Sequence, residues 1–162
     1  GHAGYEAPRS EYWPRLIKNL RELASHAEDI ELDLVLEPLT QYETNVIVTC
    51  NDLVEALDEV DSPRLMGMCD LCPPFCNHEP IMTYFDKLGQ RMRHMHIIDS
   101  DGHSDTHLMP GEGRIPLREL FREIEATSYD EYCTIELVSQ YINEPTLGSA
   151  MAIRRIRKLL EG

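Results

Sequence analysis

The sequence predicts an α/β fold, half of a (β/α)8 barrel, and three observations carry that reading. Apolar strand-like runs alternate with helical stretches along the whole chain. The strand-like runs are nearly continuous in aliphatic residues, as parallel strands covered by helices require. Four strand–helix units preceded by a helix amount to half of a barrel whose usual length is about 250 residues. An open parallel sheet of four strands would leave bare edges, and "GHAGY" (1–5) reads as the tail of a strand and its loop. Residues 1–162 are therefore read as the C-terminal portion of a single TIM-barrel domain.

Each element has its own signature. "YWPRLIKNLRELASHAEDI" (12–30) places Leu16, Leu20, Leu23 and Ala27 on a helical stripe. "LDLVLEPL" (32–39) is a strand stopped by Pro38. "NDLVEALDEV" (51–60) is a helix with Asn51 as N-cap. "RLMGMCD" (64–70) is the second strand. "EPIMTYFDKLG" (79–89) is a helix with Pro80 in its first turn and Gly89 at its end. "MRHMHIID" (92–99) is the third strand, and "PLRELFREIEAT" (116–127) a helix begun by Pro116. "YCTIELV" (132–138) is the fourth strand, and "EPTLGSAMAIRRIRKLL" (144–160) closes the chain as a helix.

Composition narrows the function. The 15 Lys+Arg against 29 Asp+Glu give a formal charge of −14, which disfavours a nucleic-acid surface and suits a cation site, though solvated carboxylates alone explain it too. No apolar run approaches the roughly 18 residues of a membrane span. No G-x-G-x-x-G or G-x-x-x-x-G-K-[ST] follows a strand, so nucleotide binding of those kinds has no support. Five cysteines and no signal pattern point to a reduced, cytoplasmic setting. Cys69, Cys72 and Cys76 form C-x2-C-x3-C, but structural zinc needs a fourth ligand such as His78, and Cys69 sits in an apolar run where cysteine is commonly a small buried hydrophobe.

The strand ends carry the chemistry. Glu37 follows "LDLVL", Asp70 follows "RLMGMC", His96 lies in "HMHIID" and Glu136 in "YCTIELV". A charge at the end of an apolar strand is costly unless paired, hydrogen-bonded or coordinated, and barrel active sites lie at this carboxyl end. One imidazole with three carboxylates suits Mn²⁺, Mg²⁺ or Co²⁺, with Zn²⁺ tolerated. The alternative is a network of salt bridges, for which only Arg93 and Arg114 stand nearby. His94 shares a strand face with His96 and reads as a core or neighbouring histidine.

Long stretches add a resemblance: "LEPLTQYETNV" (36–46), "YFDKLG" (84–89), "RHMHIIDSDG" (93–102), "SDTHLMPGEG" (104–113), "PLREL" (116–120) and "CTIELV" (133–138). The chain resembles the C-terminal half of a sugar isomerase/epimerase barrel of the xylose-isomerase-like group, which also includes endonuclease IV. The resemblance implies a divalent metal held by Glu37, Asp70, His96 and Glu136, with Glu37 and Glu136 also serving as the acid/base pair. It implies epimerisation at C3 of a ketosamine such as fructoselysine through an enediolate. It places Glu43 as a sugar contact, against which stands a plain solvated loop carboxylate. Asp105 and His107 fall where endonuclease IV holds a further metal, but Pro73 stands where that metal's histidine would be. His107 is therefore assigned to touch substrate or order its loop.

The rival readings are a ketose or sugar-phosphate isomerase on the same barrel and a non-catalytic sugar-binding barrel. A phosphorylated substrate would want cationic groups at the rim, where Arg114 alone qualifies. An amine-bearing substrate would fit an acidic rim built from Asp99, Asp101 and Glu112. The expected partner is a small sugar or ketosamine, with no nucleic acid and no membrane. Self-association is common in the family, and the homo-oligomer is left open. His2 is open between the pocket and a plain loop.

Overall fold

The computed structural model describes residues 2–4 and 7–161, so Gly1 and Tyr5 of the "GHAGY" stretch lie outside the described residues. Residues 2–4 form neither helix nor strand. They are tied to Asn45, whose side chain accepts from Ala3 N and donates to Gly4 O. His2 is exposed and accepts from Gly4 N.

The elements run α1 (Arg9–Asp29), β1 (Leu34–Leu36), α2 (Cys50–Val60), β2 (Leu65–Asp70), α3 (Cys72–Cys76), α4 (Met82–Leu88), β3 (Met92–Ile97), α5 (Leu117–Glu125), β4 (Tyr132–Ile135) and α6 (Pro145–Leu160). The strands pair in parallel in the order β1-β2-β3-β4. This is the sequential crossover pattern that helices between parallel strands produce.

Several boundaries depart from the sequence reading, each for a local reason. The buried face of α1 is Trp13, Ile17, Leu20, Ala24 and Ala27, while Leu23 is 57% exposed. Two stripes compete on that helix, and the one containing Trp13 wins by packing on α2, where Trp13 Nε1 donates to Glu59. Thr49, not Asn51, caps α2, because its hydroxyl accepts from Asp52 N while the Asp52 carboxylate accepts from Thr49 N. Helix α4 begins after Pro80, which stands outside it as a turn residue. "CPPFC" forms the short α3, directly after β2.

The core fills the space between the helices and one face of the sheet, with Cys69 and Met95 fully buried there. Gly67 of β2 lets α2 and α4 close in, since a Cβ would stand 3.0–3.3 Å from Leu88, Leu53 and Leu57. The opposite face carries Val35, Met68, His94 and Tyr132. By alternation it is the face on which Glu37, Asp70, His96 and Glu136 lie. It is closed over β2 and open at the sheet margins: Met68 is 3% exposed, Val35 43% and Tyr132 84%. The pairing of β2 with β3 contains an irregularity, Gly67 facing Met92 and Met68 facing His94, which leaves Arg93 as an extra residue. Beyond it Asp70 lies opposite His96.

Candidate metal centre

Parallel strands with their side chains in register bring one residue from each strand end to a common point. Glu37 follows β1, Asp70 ends β2, His96 lies near the end of β3 and Glu136 follows β4. His96 Nδ1 stands 3.0 Å from Glu37 Oε1, 3.0 Å from Glu136 Oε2 and 3.3 Å from Asp70 Oδ2. One donor atom from each of the four lies within 4.8 Å of all the others.

These contacts are close but misdirected. Asp70 Oδ2 and His96 Nδ1 are buried and make no hydrogen bond of acceptable geometry, despite the short separations. Buried polar atoms are normally satisfied. A cation held between these donor atoms, which lie within 4.8 Å of one another, would satisfy both. Three carboxylates and one imidazole fit Mn²⁺, Mg²⁺ or Co²⁺, and accept Zn²⁺. The salt-bridge alternative lacks its arginines: Arg93 pairs with Glu131 at 2.7 Å, and exposed Arg114 lies beside His103.

The electrostatics of the metal-free cluster follow from the same crowding. The Asp70 and Glu37 carboxylates push the His96 imidazole up to about 10. Burial works to raise the Asp70 carboxyl, but His107 and His96 hold it well below the usual range, and Cys72 N donates to Asp70 Oδ1 at 2.6 Å. Glu136 moves the other way, raised by burial and by the neighbouring Asp70. His94, edge-on to His96 with ring centroids 5.3 Å apart, is lowered by burial and by the His96 charge. It lies below the centre on the same strand face, as a neighbouring histidine.

His107 joins the cluster more closely than its sequence position signalled. It is buried, and its Nε2 lies 3.4 Å from Asp70 Oδ2 and 3.3 Å from Glu136 Oε2. Burial lowers its basicity, but Asp70 outweighs this and the imidazole rises to about 9. On its other side Asp105 Oδ1 stands 3.7 Å from both His107 Nδ1 and Cys72 Sγ, a second grouping of donor atoms. Cys69 belongs to neither grouping; it is buried, with its thiol against Asp70 O. Glu43 is exposed and lies outside both, its Oε2 accepting from Thr40 Oγ1 at 3.1 Å. It faces Asp105, whose carboxyl is raised by burial and then by Glu43.

The acidic rim expected from Asp99, Asp101 and Glu112 does not form, because each carboxylate is taken up by its own surroundings. Asp99 is 1% exposed and accepts from backbone amides. Asp101 accepts from His103 N, Ser104 N and Ser104 Oγ, and the His103 bond leads in lowering it to about 2. Glu112 pairs with Arg155 at 2.9 Å and accepts from Tyr141. An apolar groove of about 1110 Å3 on the helix side, lined by Phe121, Ile124, Ile153 and Leu160 among others, contains none of the donor residues.

Comparison with known proteins agrees with this fold. Residues 1–159 match the model of the xylose isomerase-like TIM barrels. The fructoselysine 3-epimerase of Escherichia coli O157:H7 is 55% identical over 159 residues, covering 98% of this chain and 58% of that protein. The D-psicose 3-epimerase of Enterocloster bolteae is 27% identical over 122 residues, covering 75% of this chain and 39% of that protein. A solved 3-keto-D-glucoside 4-epimerase of E. coli superposes with a TM-score of 0.79 at 19% identity, covering 96% of this chain and 57% of that one. A D-tagatose 3-epimerase-like protein gives 0.79 at 22%, covering 99% and 61%. The chain thus spans 58% of the length of the fructoselysine 3-epimerases it matches.

Proposed function

The chain belongs to the xylose isomerase-like TIM barrel family, and from that premise we propose that it carries the catalytic centre of a metal-dependent sugar epimerase acting at C3 of a ketosamine such as fructoselysine. The observation that carries the reading is the convergence of Glu37, Asp70, His96 and Glu136, with two glutamates supplied by the outermost strands. The 55% identity to fructoselysine 3-epimerase supports the choice of substrate.

Inversion of a carbon beside a carbonyl requires a proton to leave one face and another to arrive on the opposite face. Glu37 and Glu136, which follow the first and last strands of this sheet, would flank a sugar from two sides. A divalent cation held by the four residues would polarise the carbonyl and stabilise the charge that develops as the proton leaves. Asp70, buried and held ionised, serves only as an anchor. Glu136, with its carboxyl raised and its side chain 40% exposed, is the better placed of the two to take up a proton. His107 Nε2, 3.4 Å from Asp70 Oδ2 and 3.3 Å from Glu136 Oε2, sets the charge that both carboxylates face.

The test is proton exchange at C3 in deuterated water, followed by NMR with a diamagnetic divalent metal, across fructoselysine, psicose, tagatose and a hexulose phosphate. Exchange with fructoselysine ahead of the others is the expected result. A bound metal without exchange on any of them would leave only a sugar-binding barrel.

A further inference from the structure

The segment between β3 and α5 delivers His107 to the centre, and it is organised around one buried carboxylate that the chemistry above does not use. Asp99 is 1% exposed. Its Oδ1 accepts from Ser100 N at 2.9 Å and from Ile115 N at 3.0 Å, and its Oδ2 from Gly111 N at 2.9 Å. The amides that meet there lie 1, 12 and 16 residues further along the chain. The Asp99 backbone forms a two-way bridge with Leu108, N to O at 2.8 Å in each direction. His107 is therefore the immediate neighbour of a residue pinned to Asp99.

The fit around this carboxylate excludes side chains. A Cβ on Gly113 would stand 2.3 Å from Asp99 Oδ1 and 2.5 Å from Ser100 O. Gly111, which donates to Oδ2, adopts φ 88°, a conformation that side chains disfavour. A buried carboxylate that accepts several backbone N–H groups exchanges water for fixed dipoles, and leaving those amides unpaired is costly.

We infer that Asp99 is a positioning residue: its carboxylate gathers the amides of Ser100, Gly111 and Ile115 so that the loop holds His107 Nε2 against Glu136 and Asp70. The inference rests on the role given to His107 above. Two consequences separate it from a general contribution to stability. The effect of removing the carboxylate passes through His107, so it vanishes when His107 is already absent. The Gly113 position, which touches the carboxylate from outside, gives the same phenotype.

The experiment compares Asp99→Asn, His107→Asn, the double variant and Gly113→Ala. Asn is isosteric with Asp, but its NH2 faces an amide it cannot accept from. The expected results for Asp99→Asn are a kcat lower by about 10-fold or more at near-constant KM and metal content, and loss of the slowly exchanging His107 imidazole N–H resonance, assigned with His107→Asn. The double variant matches His107→Asn in kcat, and Gly113→Ala repeats the loss of the resonance should Asp99→Asn fold poorly. Retention of the resonance in Asp99→Asn and Gly113→Ala, or a kcat loss in the double variant that multiplies the two single losses, overturns the inference. The resonance is read without any sugar turnover, so its fate is independent of the epimerase reading.

Discussion

Strands β2 and β4 do the same job under opposite conditions. Asp70 ends β2 and Glu136 follows β4, and both carboxylates stand against His96 Nδ1. Strand β2 is flanked on both sides, roofed by α2 and α4 through Gly67, and buried over nearly its whole length. Within this chain, which spans 58% of the length of its fructoselysine 3-epimerase relative, strand β4 is paired on one side only, with Tyr132 84% exposed and Thr134 exposed as well. The difference reaches the acids they carry. Asp70 is 2% exposed and held ionised by its partners, whereas the Glu136 side chain is 40% exposed and its carboxyl is raised. On the function proposed above, the more buried acid would be the fixed ligand and the more exposed one the group that changes its protonation.

That contrast can be broken most sharply at the acids themselves. Asp70→Asn should lower divalent-metal affinity by about 100-fold or more in calorimetric titration, since it removes a ligand with no room for a substitute. Glu136→Gln should retain measurable metal binding while C3 exchange falls by at least about 100-fold, the scale of a lost acid/base group. Equal losses of metal in the two variants would erase the distinction between anchor and proton carrier.

A pH series sharpens it further. In the metal-free protein His96 and His107 are raised from 6.5 to about 10 and about 9. Groups raised on folding contribute stability that is fully present below their unfolded value and lost as pH rises through the folded one. The metal-free protein should therefore lose thermal stability between about pH 6.5 and 10. Bound metal should flatten that decline, because the His96 proton is displaced on loading. Thermal scans of both forms across this range provide the check.

The smallest effects come from the strands' packing. Gly67→Ala should destabilise by about 1–3 kcal/mol, by forcing a methyl group into Leu53, Leu57 and Leu88. Tyr132→Ala, on the exposed margin, should change stability by no more than about 0.5 kcal/mol. Chemical denaturation of the two variants measures both.

What the sequence showed and what it hid divide along the same physical line. Glu37, Asp70, His96 and Glu136 stood out because a charge at the end of an apolar strand contradicts its surroundings. The order of strands and helices was legible because periodicity is a local property. The acidic rim was misjudged because the fate of Asp99, Asp101 and Glu112 depends on how a long loop folds back on itself, with amides arriving at Asp99 from Gly111 and Ile115. The approach of His107 to Asp70 and Glu136 was hidden for the same reason. In α1 two apolar stripes were available, and only the contact of Trp13 with Glu59 decides between them.

The extra residue in β3 has a consequence for how such a chain can drift over generations. Arg93 shifts the pairing so that His96 meets Asp70. Because side chains on a strand change sides at every step, deleting the extra residue would only restore regular pairing, whereas deleting Met95 from the short stretch beyond it would set His96 opposite Cys69 and turn its imidazole toward the helices. Length variation is therefore barred from this short stretch, and substitution alone is left to it.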